Sequence, residues 1–274
     1  MNKPFMTEVP ASVVDSSYAT LAAAGPFALG DTVVCVRHGR LGVFVLSQNK
    51  SGGAFAIGDA VTAIDFATPT YEQDAVVYST TNAARKGLAS VKGDTDAVGS
   101  DGISADELAG DIMAITVGTG LGQFGLIVEN EAAVASTDKL TSYLAKPFTT
   151  ALAATDDYVI LPVNKMRLAT ELAHLVYGVC PCTVADGAYF FRQVKGFCFA
   201  KITLSAAYGI DGTSDGLALS LSGSATDGAL AVRDADGEDF DTQSHLVGYL
   251  IHKKGTADSG LGLVWLLGCI GSLA

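Results

Sequence analysis

Short apolar runs separated by turn residues fill the last third of the chain, and this spacing limits the folds open to it. The runs are rich in Val, Leu, Phe and Tyr: AYFFRQV, FCFAKITL, LALSLSG, ALAVR, HLVGYLIHK and LGLVWLLG. Turn dipeptides lie between them at Lys195-Gly196, Asp211-Gly212 and Asp227-Gly228. Short β-rich runs bounded by Gly and Asp predict strands joined by tight turns. The sequence therefore predicts a mainly β fold with sandwich or barrel-like elements.

The first half of the chain has the same character. The segment TVVCVRHGRLGVFVLS predicts a hairpin around residues 37–40, and GGAFAIGDAVTAIDF and QDAVVYSTT predict further short strands. Ser104 and Glu107 have the spacing of a capping box, which predicts a short helical turn.

Neither end of the given sequence is expected to be a targeting or membrane-spanning segment. The N-terminal stretch MNKPFMTEVPASVV lacks the apolar core of a signal peptide. The apolar end GLGLVWLLGCIGSLA is shorter than the ~20 residues of a spanning helix and is interrupted by glycines. It predicts a buried terminal strand.

A helical segment is predicted in the middle of the chain. STDKLTSYLAKPFTTALAA has helical character up to Pro147, which ends or kinks a helix. NKMRLATELAHLVYG predicts a helix over residues 164–177, with Asn164 as N-cap and Gly178 as its end. The apolar residues of its shared face are Leu168, Leu172, Leu175 and Val176.

These patterns predict four regions along the chain. Residues 1–25, which contain Pro4 and Pro10, form an extended N-terminal arm. Residues 26–135 form a β-rich region, residues 136–180 the helical central segment, and residues 181–274 a second β-rich region.

Charge and cysteine content exclude some function classes. The net charge of −12 argues against a nucleic-acid-binding surface, which needs clustered Lys and Arg. Charged residues make up only 17% of the sequence, against about 25% in an average domain, so partners are expected to cover much of the surface. The odd number of cysteines predicts reduced, mostly buried thiols rather than a disulfide framework. The five are Cys35, Cys180, Cys182, Cys198 and Cys269.

A glycine-rich stretch, Gly120–Gly125, fits the G-x-G-x-x-G pattern of dinucleotide-binding loops. Such a loop must precede a helix, whose N-terminus holds the pyrophosphate. Here the β-rich sequence LIVEN follows, so we predict a hairpin with a glycine-rich connection and no nucleotide cofactor.

A second pattern, Gly212–Gly216, fits the G-x-S-x-G nucleophile elbow around Ser214. Acidic residues and histidines follow in hydrolase order: Asp234 or Asp236, then His245 or His252. The elbow requires a strand-to-helix turn, but LALSLSG follows as a strand, so we predict a turn between strands and no catalytic serine.

Metal sites are not predicted either. The acidic stretch at residues 234–241 has its glycine, Gly237, at the fourth place, whereas an EF-hand loop needs it at the sixth. Cys180 and Cys182, near His174, lack the spacing of a zinc pair. His174 is interpreted as a core or edge residue and Trp265 as a core residue.

The β-rich segments GPFALGDTVVCVRHGRLGVFVL and SGGAFAIGDAVTAIDF resemble structural proteins of tailed-phage virions, above all capsid decoration (cement) proteins. The resemblance covers most of the chain in style and carries over no functional residue. It implies a non-enzymatic protein that binds the major capsid protein lattice, assembles in the host cytoplasm and forms a homo-oligomer, with a trimer favoured. It implies neither a nucleic-acid nor a membrane partner.

Two other functions stay open beside this one. A receptor- or carbohydrate-binding β module of a phage tail or fibre would show a shallow site with aromatic residues. A serine hydrolase would use Ser214.

Overall fold

The computed structural model of the protein describes most of the chain, and within the described residues strands make up 53% and helical elements 5%. The predicted mainly β fold is confirmed. The described residues are 6–37, 39–64, 72–73, 77–82, 87–93, 103–133, 140–162, 164–169, 176–203, 217–221, 228–232, 246–252 and 259–268.

The helical elements are short and lie near the N-terminus: α1 (Ala11–Val14) and a 3-10 helix (Leu21–Ala24). The strands are, in chain order, β1 (Thr7–Glu8), β2 (Ser17–Tyr18), β3 (Thr32–Arg37), β4 (Arg40–Asn49), β5 (Ala60–Ala63), β6 (Glu72–Gln73), β7 (Val77–Asn82), β8 (Leu88–Gly93), β9 (Ile112–Val117), β10 (Phe124–Asn130), β11 (Leu140–Leu144), β12 (Asp157–Leu161), β13 (Lys165–Leu168), β14 (Gly178–Val179), β15 (Tyr189–Thr203), β16 (Leu217–Leu221), β17 (Leu230–Val232), β18 (Gly248–His252) and β19 (Ser259–Leu266).

The chain divides into two compact units. The barrel unit consists of Met1–Ile64 and Lys165–Ala274, and the inserted unit of Asp65–Asn164. The insertion leaves the barrel unit after β5 and returns at β13, and these two strands pair antiparallel, with Met166 opposite Ala63. The predicted limits at residues 135 and 180 are not limits of these units.

Strand β15 organises the barrel unit because its two halves belong to two closed cycles of strands. Its first half pairs with β4 and β14, and the pairs β14–β5, β5–β13 and β13–β4 complete the cycle. Its second half pairs with β17 and β19, and β17–β16, β16–β18 and β18–β19 complete the other. Closing each sheet on itself leaves fewer strand edges with unpaired backbone groups. The barrel-like expectation therefore holds for this unit.

The interior of the second cycle follows from the period of two along each strand. On β15, Cys198, Ala200 and Ile202 are buried, and they share one hydrophobic cluster with Val264 and Leu266 of β19. Alternate residues of the same strands point the other way.

The inserted unit contains a sheet with the strand order β6-β12-β9-β10-β11-β8-β7. One face of this sheet is buried against a second hydrophobic cluster that also includes Leu108, Phe148 and Ile103. The predicted capping box is present in part, because the Ser104 backbone N–H donates to Glu107 Oε2 at 2.8 Å. The segment forms turns there, not a helix.

The predicted helical central segment is wrong where the structure describes it. Within residues 136–180, β11, β12, β13 and β14 are strands, and residues 170–175 lie outside the described residues. Residues 165–168 are extended because they pair with both β4 and β5, which are distant in sequence. Asn164 does not cap a helix; its side-chain amide donates to the Gly110 carbonyl at 2.9 Å.

The predicted extended arm is also wrong for residues 6–25. Strand β1 pairs in parallel with β3, β2 pairs with β15, and Val14 and Ala24 are buried in a cluster with Phe44 and Phe191. These apolar side chains bury surface in the barrel unit, which an extended arm would leave in water.

Other predictions are confirmed. Strands β3 and β4 form the predicted hairpin, with Arg37 opposite Arg40. Of the segment predicted as a buried terminal strand, residues 260–266 lie in β19 with Leu261 49% exposed, and residues 269–274 lie outside the described residues. Cys35, Cys180, Cys182 and Cys198 are buried free thiols, and Cys269 lies outside the described residues.

Candidate functional site

The sheet of the inserted unit has one buried face, formed by alternate residues of its strands. Met113 and Ile115 on β9, Ile127 on β10, and Tyr158 and Ile160 on β12 all lie in the core cluster. The residues between them point to the opposite face. Antiparallel sheets commonly place polar residues there, because that face meets water.

Instead, the opposite face is apolar across three strands. The register places Phe124 opposite Ala114 and Leu126 opposite Ile112, and it places Ala114 opposite Val159 and Ile112 opposite Leu161. Two cross-strand rows result, and we name their six residues the outer sheet face: Phe124, Ala114, Val159, Leu126, Ile112 and Leu161.

This face is open to solvent. Phe124 is 73% exposed and Leu126 47% exposed, and the other four residues are half-buried. Val117 and Leu121, on the same hairpin, are also exposed. Contiguous apolar surface of this kind marks an interaction site in soluble proteins.

A groove of about 600 Å³ runs beside the outer sheet face. Its walls include Phe124 and Leu126 on one side and Ala145, Pro147 and Phe148 on the other. Lys146 is the one charged residue among those that line it. The groove extends the apolar surface beyond the strands.

The hairpin that carries Phe124 is held by a buried carboxylate. Asp156 accepts hydrogen bonds from the backbone N–H groups of Thr119 (2.6 Å), Gly120 (3.2 Å) and Ala153 (3.1 Å). The Thr119 hydroxyl lies 3.0 Å from Asp156 Oδ2. Burial raises the pKa of Asp156, but these hydrogen bonds outweigh it and hold the pKa below its ordinary value. The carboxylate is therefore charged at neutral pH and fixes the turn.

This arrangement explains the glycine-rich stretch. β9 and β10 form the predicted hairpin, and residues 118–123 connect them. Gly118 has a φ of 93°, and a Cβ there would overlap the Asp156 carboxylate. The Thr119 and Gly120 N–H groups, of the kind that bind a phosphate in a nucleotide site, are taken by Asp156. The glycine at position 118 lets the backbone of the connection approach the Asp156 carboxylate closely.

Side-chain hydrogen bonds also hold the hairpin near the start of β10. Gln123 Oε1 accepts from the Thr150 backbone N–H at 2.9 Å and from the Thr149 hydroxyl at 2.8 Å. Tyr78 Oη accepts from the Phe148 N–H at 2.7 Å, at the groove wall. The outer sheet face is therefore presented on a hydrogen-bonded frame, which lowers the entropy lost on binding.

The barrel unit also has an apolar outward face, on the second cycle of strands. Phe197 lies opposite Trp265, which lies opposite Tyr249, and Phe199 lies opposite Leu263. The Phe197 and Trp265 rings contact edge to face, with centroids 4.6 Å apart. We name this set the barrel exterior face: Phe197, Phe199, Tyr249, Leu261, Leu263 and Trp265. Phe199 is 59% exposed and Leu261 49% exposed, so this face is also open.

The sequence-derived candidates for catalysis and metal binding are not brought together in the described residues. Ser214, His174, His245 and the acidic stretch 234–241, with Asp234 and Asp236, lie outside them, and His252 ends β18. Within the described ranges, no group of three His, Cys, Asp or Glu residues could hold a metal ion. Trp265, predicted as core, is half-buried on the barrel exterior face.

Cys180 and Cys182 lie in a hydrophobic cluster with Phe55, Met166 and Phe190. Burial raises the pKa of the Cys180 thiol well above its ordinary value, and the charges of Asp59 and Cys182 add to this. A protonated, enclosed thiol is a poor nucleophile and a poor metal ligand.

No helix in the described part of the chain is long and apolar enough to cross a membrane. Comparison with known proteins identifies no relative, because no protein-family model, no curated protein and no solved structure matches the chain.

Sequence reasoning missed the outer sheet face and Asp156. The run IMAITV is apolar at almost every position, which is the pattern of a strand covered on both faces. This pattern indicates that both faces of the strand are covered. The pairing with β10 and β12 was needed to show which residues share the outer face. Asp156 has no sequence signal, because its hydrogen-bond partners Thr119 and Gly120 lie far away in the chain.

Proposed function

We propose that this protein is a non-enzymatic structural protein of a tailed-phage virion that binds the assembled capsid lattice and stabilises it, as decoration proteins do. The outer sheet face carries the proposal. It is a rigid apolar surface on an otherwise folded unit, and its most exposed residue is Phe124. Large aromatic residues on preorganised surfaces are common anchors of protein interfaces.

A capsid lattice multiplies the effect of a small face. Each contact on a repeating shell adds to the others, because later contacts are made at high effective concentration. We propose a homo-oligomer, with a trimer favoured, as the form that makes several contacts at once. The barrel exterior face supplies a second contact surface.

The low charge of the sequence supports this arrangement. The chain has 17% charged residues and exposes Phe124, Leu126, Phe199 and Leu261, and clustered apolar surface of this kind marks interaction sites. Partners in an assembled particle cover such surface. The net charge of −12 keeps the protein away from the packaged genome.

The barrel exterior face favours one second candidate, a carbohydrate-binding module of a tail or fibre. Phe197, Trp265 and Tyr249 form an aromatic row across three paired strands. Sugar rings stack on such rows through their apolar faces. In this candidate the aromatic row binds the ligand and Phe124 does not.

Binding to shells tests the proposal. Particles of the encoding phage, stripped of this protein, are mixed with the wild-type chain, with Phe124→Ser and Leu126→Ser, and with Ile57→Ser as the matched control, because Ile57 is an exposed apolar residue that belongs to neither face. Co-sedimentation measures occupancy of the lattice. We expect saturable wild-type binding in stoichiometric amounts and a loss of about tenfold or more for the outer-face variants, since a buried interface aromatic contributes about 2 kcal/mol.

Two outcomes would contradict the proposal. The first is absence of the protein from purified particles together with no binding to stripped shells. The second is glycan binding that Tyr249→Ser abolishes and Phe124→Ser leaves unchanged, which would favour the carbohydrate-binding module.

A further inference from the structure

Strand β15 changes register beside a groove in the barrel unit. The pairing with β4 shifts between Gln193 and Lys195, and Gly196 adopts a φ of 96° where it packs against the Leu41 carbonyl. Such bulges often occur next to binding sites, because they redirect side chains. A groove of about 730 Å³ lies at this point, within the size range of ligand sites.

Gln193 forms part of the groove wall and is only 1% exposed. Its side-chain nitrogen donates to the carbonyls of Phe197 (2.7 Å) and Lys195 (3.2 Å), which fixes the amide in place. Its oxygen, Oε1, is buried and accepts no hydrogen bond from the described residues. A buried acceptor without a donor is costly, so this atom is suited to an N–H or O–H group from a bound partner.

Arg40 supplies a positive charge to the same groove. Its guanidinium lies over the Phe197 ring, 5.3 Å from the centroid. A guanidinium in this position pairs well with a carboxylate. Asp15 also lines the groove, which disfavours a partner with more than one acidic group there.

The remaining wall is apolar. Phe44, Phe197, Phe199, Val36 and Leu263 line it. Gly42 has no Cβ here because the Phe44 ring and the Gln193 amide pack over it, and a Cβ would approach them to 2.8 Å and 3.2 Å. The open part of the wall is therefore formed by Phe199, Val36 and the neighbouring apolar residues.

The occupant is larger than a small molecule. Phe199 and Val36, on the groove wall, are 59% and 48% exposed, and the apolar surface continues through Leu263 onto the barrel exterior face. A small ligand would leave this surface in water, whereas a protein segment crossing the groove would cover it.

We propose that this groove binds an extended segment of a partner protein in which an apolar residue is followed by Asp or Glu. The segment's apolar side chain packs on Phe197, Phe199 and Leu263, its carboxylate pairs with Arg40, and a small shift of the groove wall lets its backbone N–H donate to the buried Gln193 Oε1. The proposal deepens the proposed function by giving the chemistry of a second contact with the shell, and it rests on that function only for the identity of the partner.

Defined peptides test the groove without any shell. The probes are Ac-Ala-Leu-Asp-Ala-NH2, the same peptide with Asn in place of Asp, and the same peptide with Gly in place of Leu. Their affinities for the full chain are measured by titration calorimetry and by NMR. We expect the Leu-Asp peptide to bind best, and the Asn peptide to bind about three- to fivefold more weakly, as for a solvent-accessible ion pair.

Variants of the protein locate the binding. Arg40→Gln is expected to reduce the affinity for the Leu-Asp peptide to that for the Asn peptide, and to leave the affinity for the Asn peptide unchanged. Phe199→Ser is expected to weaken both peptides. Tyr249→Ser, on the barrel exterior face but not on the groove wall, is the matched control and is expected to bind like the wild-type protein.

Gln193→Met tests the buried acceptor. We expect about tenfold weaker binding of the Leu-Asp peptide, with the fold checked by circular dichroism because the Gln193 amide also holds the bulge. If this variant does not fold, the Arg40 and Phe199 variants decide the proposal, because both residues lie on the groove wall and carry little of the core.

Several results would overturn the proposal: no peptide binds, the three peptides bind equally, or Arg40→Gln and Phe199→Ser bind like the wild-type chain. Unchanged binding by a folded Gln193→Met would show that water satisfies Oε1 and would overturn the hydrogen bond. Peptide binding without shell binding would contradict the proposed function and leave the groove assignment intact. Shell binding without peptide binding would contradict the groove assignment and leave the proposed function intact.

Discussion

Asp59 of the barrel unit and Asp156 of the inserted unit are both buried, and their carboxylates are stabilised in different ways. In the barrel unit, Asp59 forms an ion pair with Lys201 of β15 at 2.8 Å, and its other oxygen accepts from the Ala56 N–H at 2.7 Å. In the inserted unit, Asp156 is held by the backbone N–H groups of Thr119, Gly120 and Ala153 and by the Thr119 hydroxyl.

The difference shows two uses of a buried charge. The Asp59–Lys201 pair joins a loop to a strand that is remote in sequence, and it depends on a single partner side chain. The Asp156 arrangement draws on several donors of two loops, so it fixes backbone geometry where the exposed hairpin needs it. Removing a side-chain partner and disturbing a backbone site should therefore lower the unfolding free energy by different amounts.

The largest effect is expected for Gly118→Ala. The new Cβ would overlap the Asp156 carboxylate, and the φ of 93° is unfavourable for alanine. We expect a loss of about 3 kcal/mol or more in unfolding free energy, from overpacking and backbone strain together. Urea denaturation measures the loss, and hydrogen exchange of the β9–β10 hairpin locates it.

Gly122→Ala is the matched control for that substitution. Gly122 lies in the same connection with a φ of 83°, but a Cβ there would meet no atom within 4 Å. Only the backbone strain of about 1 kcal/mol is expected. Equal losses for the two variants would show that the Asp156 contact does not determine the turn.

A smaller effect is expected for Lys201→Met. The substitution leaves Asp59 buried without its cation, while the Ala56 N–H remains. Removing one partner of such a pair is destabilising. Because Lys201 is partly exposed, the loss is reduced, and we expect the unfolding free energy to fall by about 2 kcal/mol. The double variant Asp59→Asn with Lys201→Met should recover part of this loss; no recovery would contradict the ion-pair interpretation.

A third effect is expected at acidic pH, where a loss of stability should be confined to the inserted unit. Because the pKa of Asp156 is lower in the folded protein than its ordinary value of 3.8, its contribution to stability is complete above that value. The contribution is lost as the pH falls through the lower, folded pKa. Hydrogen exchange at decreasing pH should show the β9–β10 hairpin opening, and Asp156→Asn should remove this pH dependence.

The smallest effects on stability are expected at the two apolar faces. Phe124→Ser and Phe199→Ser should each change the unfolding free energy by about 0.5 kcal/mol or less, because both side chains are exposed. Ile127→Ser, three residues along from Phe124 and on the buried face of the sheet, is the control and should cost about 3 kcal/mol. Thermal melts of the three variants check this contrast. A large loss for Phe124→Ser would mean that the outer sheet face is part of the core.

Sequence reasoning predicted those features that depend on neighbours in the chain. The β3–β4 hairpin and the β9–β10 hairpin follow from strand-forming runs around glycine-containing connections. The buried free thiols follow from composition and cysteine number.

Features set by distant pairing were missed. Leu168 fits the apolar spacing of a helix together with Leu172 and Leu175, yet the pairing of β13 with β4 and β5 makes residues 165–168 extended, and no local propensity could show this. Residues 6–25 contain Pro10 and many small residues, and only the partners Phe44 and Phe191 show that Val14 is core. The groove at Gln193 likewise depends on the register of β15 against β4.

The place of the insertion has a consequence for how the chain reaches its native state. β5 and β13 are neighbouring strands, and the Ile64 N–H donates to the Lys165 carbonyl at 3.0 Å, so all of Asp65–Asn164 occupies the position of a hairpin turn. Closing a disordered loop of that length has an entropic cost that grows with the logarithm of its length. If the inserted unit folds first, its ends no longer sample independent positions and most of that cost has already been met. The order of folding events is therefore expected to run from the insertion to its host, and replacing Asp65–Asn164 by a two-residue Asn-Gly turn should leave a barrel unit that closes faster than the parent chain.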